Sequence, residues 1–189
     1  DVGTFSWQKC LGGEAGHGIL VLSPKAVERI NTYNPPWPIP KLFQLRKNGK
    51  LNLDIFSGAT INTPSMLCVE DFLDALNWTR EVGGLSALIS KSKNNLNIIK
   101  NWISDSHWAD FLCEDVNNLS STSICLKLVD PKIIDLPLET KNNIEKNIVK
   151  LLEDHKVAFD IGSYRSAPPG FRIWGGPTVE NEDVKNLLP

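Results

Sequence analysis

The sequence predicts an α/β unit followed by a small α+β domain, and three observations carry that prediction. Residues 19–22, Ile-Leu-Val-Leu, are a short uniformly apolar run, the pattern of a strand covered on both faces as in a parallel sheet. Two stretches with apolar residues every three or four positions meet at Gly83-Gly84. Past that pair, short strand-like segments interleave with helical ones in a way that suits a two-layer, largely antiparallel domain. The Gly83-Gly84 break is the expected boundary, giving residues 1–83 and residues 84–189 as the two parts.

Taken in order, the chain opens with Thr4-Phe5-Ser6-Trp7-Gln8-Lys9, read as an aromatic-flanked turn, and the glycine-rich run from Cys10 to Gly18. Ser23 caps a short helix with Pro24 at its first position. Four prolines among residues 34–40 exclude a helix or a central strand and predict an extended surface segment. An SH3-type ligand is the weaker alternative there. Residues 43–56 predict a small hairpin turning at Lys47-Asn48-Gly49-Lys50, because Asn-Gly suits a tight turn. Thr63 as cap and Pro64 at the first position start a helix whose apolar stripe is Leu67, Phe72, Leu73 and Leu76. A second helix spans residues 85–104 through Leu88, Ile89, Leu96, Ile99 and Ile103.

Residues 123–128 alternate and predict a half-buried strand. Residues 139–155 predict a helix with Ile144, Ile148, Leu151 and Leu152 inward. Short strands are expected at 157–161 and 171–174, and Thr178 is expected to cap a last helix with Glu180, Glu182 and Asp183 in its first turns.

Composition narrows the function classes. The chain has 189 residues, 41% of them hydrophobic and 22% charged, which is ordinary for a soluble globular protein. A net charge of -2 gives no electrostatic case for nucleic acid or an anionic membrane. Cys10, Cys68, Cys113 and Cys125 lie far apart with no paired spacing, which favours reduced thiols in a cytoplasm over disulfides or a metal site. No apolar run approaches membrane-spanning length and no signal peptide opens the chain. The first residues read as the inside of a domain and the last cut an amphipathic pattern short, so the chain is expected to be a C-terminal part of something longer.

Several residues invite chemistry. A lysine at a sharp corner before a buried strand, Lys9, can be partly desolvated and so serve as a nucleophile or Schiff-base partner; a surface lysine in a turn is the plain alternative. The glycine run cannot be a dinucleotide loop, because it precedes a strand rather than opening a helix. Cys10 with His17 as a nucleophile and base lacks a third orienting group. Asn62-Thr63-Pro64 offers an amide and a hydroxyl ahead of helical N–H groups, either an anion site or simply a cap. Arg165 and Arg172 flank Ser166-Ala167-Pro168-Pro169-Gly170, and an arginine beside rigid prolines suits bidentate capture of a carboxylate, although solvated arginines are commoner. Trp7 and Trp174 are candidates for site walls, with core and rim the simpler explanation.

Ser6-Trp7-Gln8-Lys9 with its glycine-rich tail resembles the cofactor-lysine segment of phosphoserine aminotransferases, pyridoxal-phosphate (PLP) enzymes of fold type I. Asn62-Thr63-Pro64 and the stretch from Tyr164 to Trp174 resemble further segments of the same family, in the same order, and the likeness covers the C-terminal half of such an enzyme. The resemblance implies the tail of a fold type I large domain followed by a small domain. It implies Lys9 as the lysine that bonds the cofactor aldehyde, and Asn62 and Thr63 as ligands of the cofactor phosphate in the neighbouring subunit of a homodimer. It implies Arg172 at the substrate α-carboxylate and Arg165 at the substrate phosphate.

The implied reaction moves an amino group from L-glutamate to 3-phosphohydroxypyruvate, in serine biosynthesis with a related role in pyridoxine biosynthesis. Two alternatives stay open. One is another fold type I aminotransferase of serine–pyruvate or alanine–glyoxylate type, which needs no second cation. The other is an inactive dimerisation or binding piece, since the Asp that pairs with the pyridine nitrogen and the ring-stacking aromatic lie outside this chain. The 189 residues alone are expected to be inactive.

Overall fold

Residues 1–188 are described by a computed structural model. They fall into two compact units, Asp1–Trp78 and the remainder from Thr79.

In the first unit, β1 (Val2–Ser6) and β2 (Gly18–Leu22) pair antiparallel, with Val2 opposite Leu22 and Ser6 opposite Gly18. The strand expected at 19–22 is therefore present, but its partner is an unforeseen strand where a turn was read. Val2 is 59% exposed and Val21 55%, so the described residues leave these apolar strands uncovered rather than sandwiched in a parallel sheet. An apolar run reports surface that must be buried, not which segment buries it.

Ser23 Oγ accepts the Ala26 N–H at the start of α1 (Pro24–Thr32), as its sequence required. Residues 34–40 hold no helix or strand. The hairpin of β3 (Arg46–Lys47) and β4 (Lys50–Leu51) turns through Asn48 and Gly49, at φ 53° and 81°. Two left-handed residues in succession match the twist of a hairpin, and Asn-Gly adopts them at least cost. Asn31 Oδ1 accepts the Leu51 N–H at 2.7 Å, and Arg46 donates to the Tyr33 carbonyl at 2.8 Å, tying the hairpin to the end of α1.

The next helix, α2 (Met66–Glu81), starts later than expected. Ser65, not Thr63, accepts the Cys68 N–H with its hydroxyl, leaving Pro64 outside the helix. Leu67 and Leu73, read as inward, are exposed, while Ala75 is buried. Gly83 and Gly84, at φ 108° and 73°, separate α2 from α3 (Gly84–Asp105).

The second unit is built on a three-stranded antiparallel sheet in the order β5 (Ala109–Phe111), β6 (Ser123–Leu128), β7 (Gly170–Trp174). Ile124 faces Ile173 and Leu126 faces Phe171 across β6 and β7, and Phe111 faces Leu126 across β5 and β6. These side chains form the core with Leu96 and Ile99 of α3, Ile161, and Val184 of α5 (Asn181–Leu187). Ile148, Val149 and Leu152 of α4 (Leu138–Asp154) pack against it, whereas Leu151, read as inward, is 57% exposed. Trp108 sits edge-on to both Trp102 and Phe171.

Two further sequence expectations fail here, and one strand forms where none is expected. Residues 157–161 form no strand, because Lys156 and Asp160 adopt φ of 55° and 52° and turn the chain twice; only Gly162 bridges to Phe171. The strand at 109–111 is too short to show alternation. Thr178 does not cap α5; Glu180 occupies that position without a side-chain bond.

Candidate functional site

Lys9 follows β1 in a tight turn closed by the Gly12 N–H donating to the Lys9 carbonyl at 3.1 Å, with Gly12 at φ 70°. Trp7 anchors that turn. It is 5% exposed, stacks on Phe72 of α2 at 4.3 Å between ring centroids, and meets His17 edge-on at 5.7 Å. Its carbonyl accepts the Gly13 N–H at 3.1 Å, and a Cβ on Gly13 would lie 3.1 Å from the indole Cδ1, so the glycine run folds back directly on the ring. Trp7 is thus a core residue beneath the turn. Lys9 itself is exposed, and among the described residues its ammonium has no hydrogen-bond or ion-pair partner.

A second tie reaches the start of α2. The Ser65 N–H donates to His17 Nε2 at 3.0 Å. The bond sets the tautomer, since an accepting Nε2 leaves the proton of a neutral ring on Nδ1. His17 therefore acts here as a backbone acceptor, not as a partner of Cys10. Asn62 and Thr63, both exposed, lie just ahead of this tie. Two contacts, Trp7 on Phe72 and His17 on Ser65, fix the Lys9 turn and the Asn62-Thr63 stretch to one local framework.

The arginines belong to the second unit. Arg172 alternates with the core residues Phe171 and Ile173 and lies opposite Cys125, which places its side chain on the sheet face away from the core. Its N–H donates to the Ile161 carbonyl at 2.8 Å. The guanidinium is 30% exposed, pairs with Asp160 at 3.1 Å and lies 5.9 Å from the Tyr164 ring centroid. Asp160 is 92% exposed, so this ion pair is worth only about 0–1 kcal/mol and yields readily to another carboxylate. Arg165 is exposed in the turn in which the Ala167 N–H donates to the Tyr164 carbonyl at 2.8 Å.

Beneath that turn lies a residue the sequence reading passed over. Glu145 of α4, 7% exposed, accepts the Ser163 N–H at 2.7 Å and the Gly170 N–H at 3.2 Å. Its position three and seven residues before Ile148 and Leu152, on the apolar stripe, was the available signal. Trp174, by contrast, is half-buried at the end of β7.

No family model matches the chain. A phosphoserine aminotransferase of Methanosarcina mazei is 51% identical over 187 residues, 99% of this chain and 48% of that protein. Over nearly its whole length the chain is similar to part of that phosphoserine aminotransferase. The enzyme of that name from Methanosarcina barkeri is 52% identical over the same share of each chain. The chain therefore spans about half the length of the curated relatives it matches. Among solved structures, the phosphoserine aminotransferase of Cytophaga hutchinsonii superposes with a TM-score of 0.72 at 21% identity, over 99% of this chain and 47% of that one.

A phosphoserine aminotransferase described by radiation damage of its Schiff base gives 0.70 at 18%, over 98% and 46% of the two chains. The alanine–glyoxylate aminotransferase of Nostoc sp. gives 0.70 at 15%, over 100% and 46%. These likenesses place the fold among aminotransferases, with mixed α/β architecture continuing across both units. The phosphoserine aminotransferases are set apart by sequence, not by fold.

Proposed function

We propose that the protein containing this chain is a PLP-dependent phosphoserine aminotransferase, moving the amino group of L-glutamate to 3-phosphohydroxypyruvate to give O-phospho-L-serine and 2-oxoglutarate. The observation that carries this reading is identity of 51–52% to curated enzymes of that name across 99% of the chain. By this reading the first unit ends the large cofactor domain and the second is the small domain, with the change near Gly83-Gly84. The uncovered faces of β1 and β2 then meet the rest of the large domain.

The residues present fit the cofactor. Lys9 offers an exposed amine that has no hydrogen-bond or ion-pair partner among the described residues, at the start of a turn held by a buried indole. Asn62 and Thr63 offer an amide and a hydroxyl suited to phosphate oxygens. The Schiff base named for one structural neighbour supports the lysine assignment. When bound, PLP supplies the electron sink that makes the substrate Cα–H acidic. Lys9 Nζ takes that proton and later returns one, as general base and then acid. Arg172 releases Asp160 and holds the substrate α-carboxylate by a bidentate contact, fixing the direction of the Cα–H bond. Arg165 meets the substrate phosphate.

In a cytoplasmic homodimer, Asn62 and Thr63 serve the partner subunit's cofactor. A role in serine biosynthesis, and a related one in pyridoxine biosynthesis, follow from the same substrates. The test is borohydride reduction of the full-length holoenzyme followed by peptide mass mapping. The pyridoxyl group is expected on Lys9; its attachment elsewhere, or its absence from the full-length enzyme, overturns the reading. An alanine–glyoxylate type enzyme shares the fold. It would lose nothing selectively on Arg165→Ala, whereas a phosphoserine enzyme loses phosphorylated substrates.

A further inference from the structure

We infer that Glu145 is the positioning residue of the Arg165 loop: its buried carboxylate clamps both ends of residues 163–170 and so fixes the cation that reads the substrate phosphate. The inference rests on the phosphoserine aminotransferase reading of Arg165.

A carboxylate 7% exposed needs strong compensation for its lost hydration. No cation provides it, since among the described residues Glu145 forms no salt bridge. Two backbone amides do. Oε1 accepts from Ser163 and Oε2 from Gly170, seven residues apart in the chain. Hydrogen bonds to an ionised acceptor are the strong kind, so each end of the loop is held by its backbone.

The surroundings leave the loop little freedom. Below the clamp, Gly162 bridges Phe171 and the Arg172 N–H donates to the Ile161 carbonyl. A Cβ on Gly170 would collide with the Leu126 carbonyl oxygen, so only glycine brings that amide to Glu145. Above the clamp, the Tyr164–Ala167 turn and Pro168-Pro169 stiffen the remaining residues. Arg165 sits within that turn and, with Glu145, Ser163, Lys146 and Lys150, lines an open cleft of about 640 Å³ between the loop and α4. Aliphatic packing against Ile148 and Leu152 would seat α4 equally well; the carboxylate is spent on the loop.

The experiment compares Glu145→Gln, Arg165→Ala and the double variant in the full-length holoenzyme, with separate constants for L-glutamate and the phosphorylated substrate. Glutamine keeps the shape but offers one amide donor where an acceptor was. Glu145→Gln is expected to raise KM for the phosphorylated substrate by about tenfold, leaving its kcat and the glutamate KM within about twofold. The double variant should be no worse than Arg165→Ala, because the two residues act through one contact. Equal effects on both substrates, or effects that multiply in the double variant, overturn the inference while leaving the function intact. If Arg165→Ala leaves the phosphorylated substrate unaffected, the reading of Arg165 fails, and this inference with it. Should the Gln variant not fold, Glu145→Asp, which keeps the charge but shortens the reach, is expected to show the same selective rise. An unchanged KM in folded Glu145→Asp overturns the clamp.

Discussion

The Ser65 N–H donates to His17 Nε2 at 3.0 Å across 48 residues of sequence, joining the glycine-rich loop after Lys9 to the residue that caps the start of α2. Helix starts leave N–H groups without intrahelical acceptors. Here an imidazole from another segment satisfies one of them, and the Ser65 hydroxyl serves the Cys68 amide. Removing the ring acceptor while keeping its bulk, in His17→Phe, should cost about 0.5–1.5 kcal/mol, since exposed Ser65 can turn to water. His17→Gln restores an acceptor and most of that loss. Denaturant midpoints of the holoprotein measure the cost, and dialysis measures PLP retention, which should fall with Phe and recover with Gln. A Phe variant matching the wild type in both would remove any role for this bond.

Lys9 and Asn62 make a prediction about subunit sharing. Lys9→Ala should abolish transamination while shifting stability by no more than about 0.5 kcal/mol, because the side chain is exposed and, among the described residues, makes no hydrogen bond or ion pair. Asn62→Ala with Thr63→Ala should weaken cofactor retention. When the two variants are mixed and allowed to exchange subunits, a cofactor site shared across the interface leaves one intact centre per mixed dimer, and activity should return to about half per mixed dimer. Mixtures as inactive as their parents would place Asn62 and Thr63 beside their own subunit's lysine.

Arg172→Ala should raise KM for L-glutamate and for the phosphorylated substrate alike, by about a hundredfold, because both carry an α-carboxylate. Arg172→Lys should recover only part of this, a point charge having no planar fork to match a carboxylate. Asp160→Asn, which removes the competing carboxylate, should change either constant by less than about threefold, since an exposed ion pair is weak. A selective effect on one substrate would reassign Arg172.

Asn95 of α3, fully buried, turns its amide towards the carbonyls of Gly175, Gly176 and Val179 at 3.2, 3.4 and 3.0 Å. These carbonyls follow β7, so one side chain secures the exit from the strand that carries Arg172. Asn95→Ala strands buried acceptors and should destabilise the protein by about 1–3 kcal/mol. Asn95→Asp should cost more, because a buried carboxylate would face three carbonyl oxygens. Thermal or urea unfolding decides; an Asp variant as stable as wild type would contradict this geometry.

Local rules sufficed where neighbours in sequence do the work. Ser23-Pro24 started α1, Asn48-Gly49 turned the hairpin, and alternation at residues 123–128 marked β6 to the residue. Lys9, Asn62, Thr63, Arg165 and Arg172 could be named because their motifs are contiguous and resemble one family in order. Tertiary contacts settled what contiguity cannot reach. Ser65 rather than Thr63 begins α2, His17 is an acceptor rather than a base, and Asp160 is the carboxylate on Arg172. Glu145 lay unnoticed because its partners are backbone amides 18 and 25 residues away, and an amide has no letter in a sequence. The chain alone thus fixed which chemical groups are present and which segments bend. Only folding decided which polar groups face each other, because that depends on backbone brought together from distant positions.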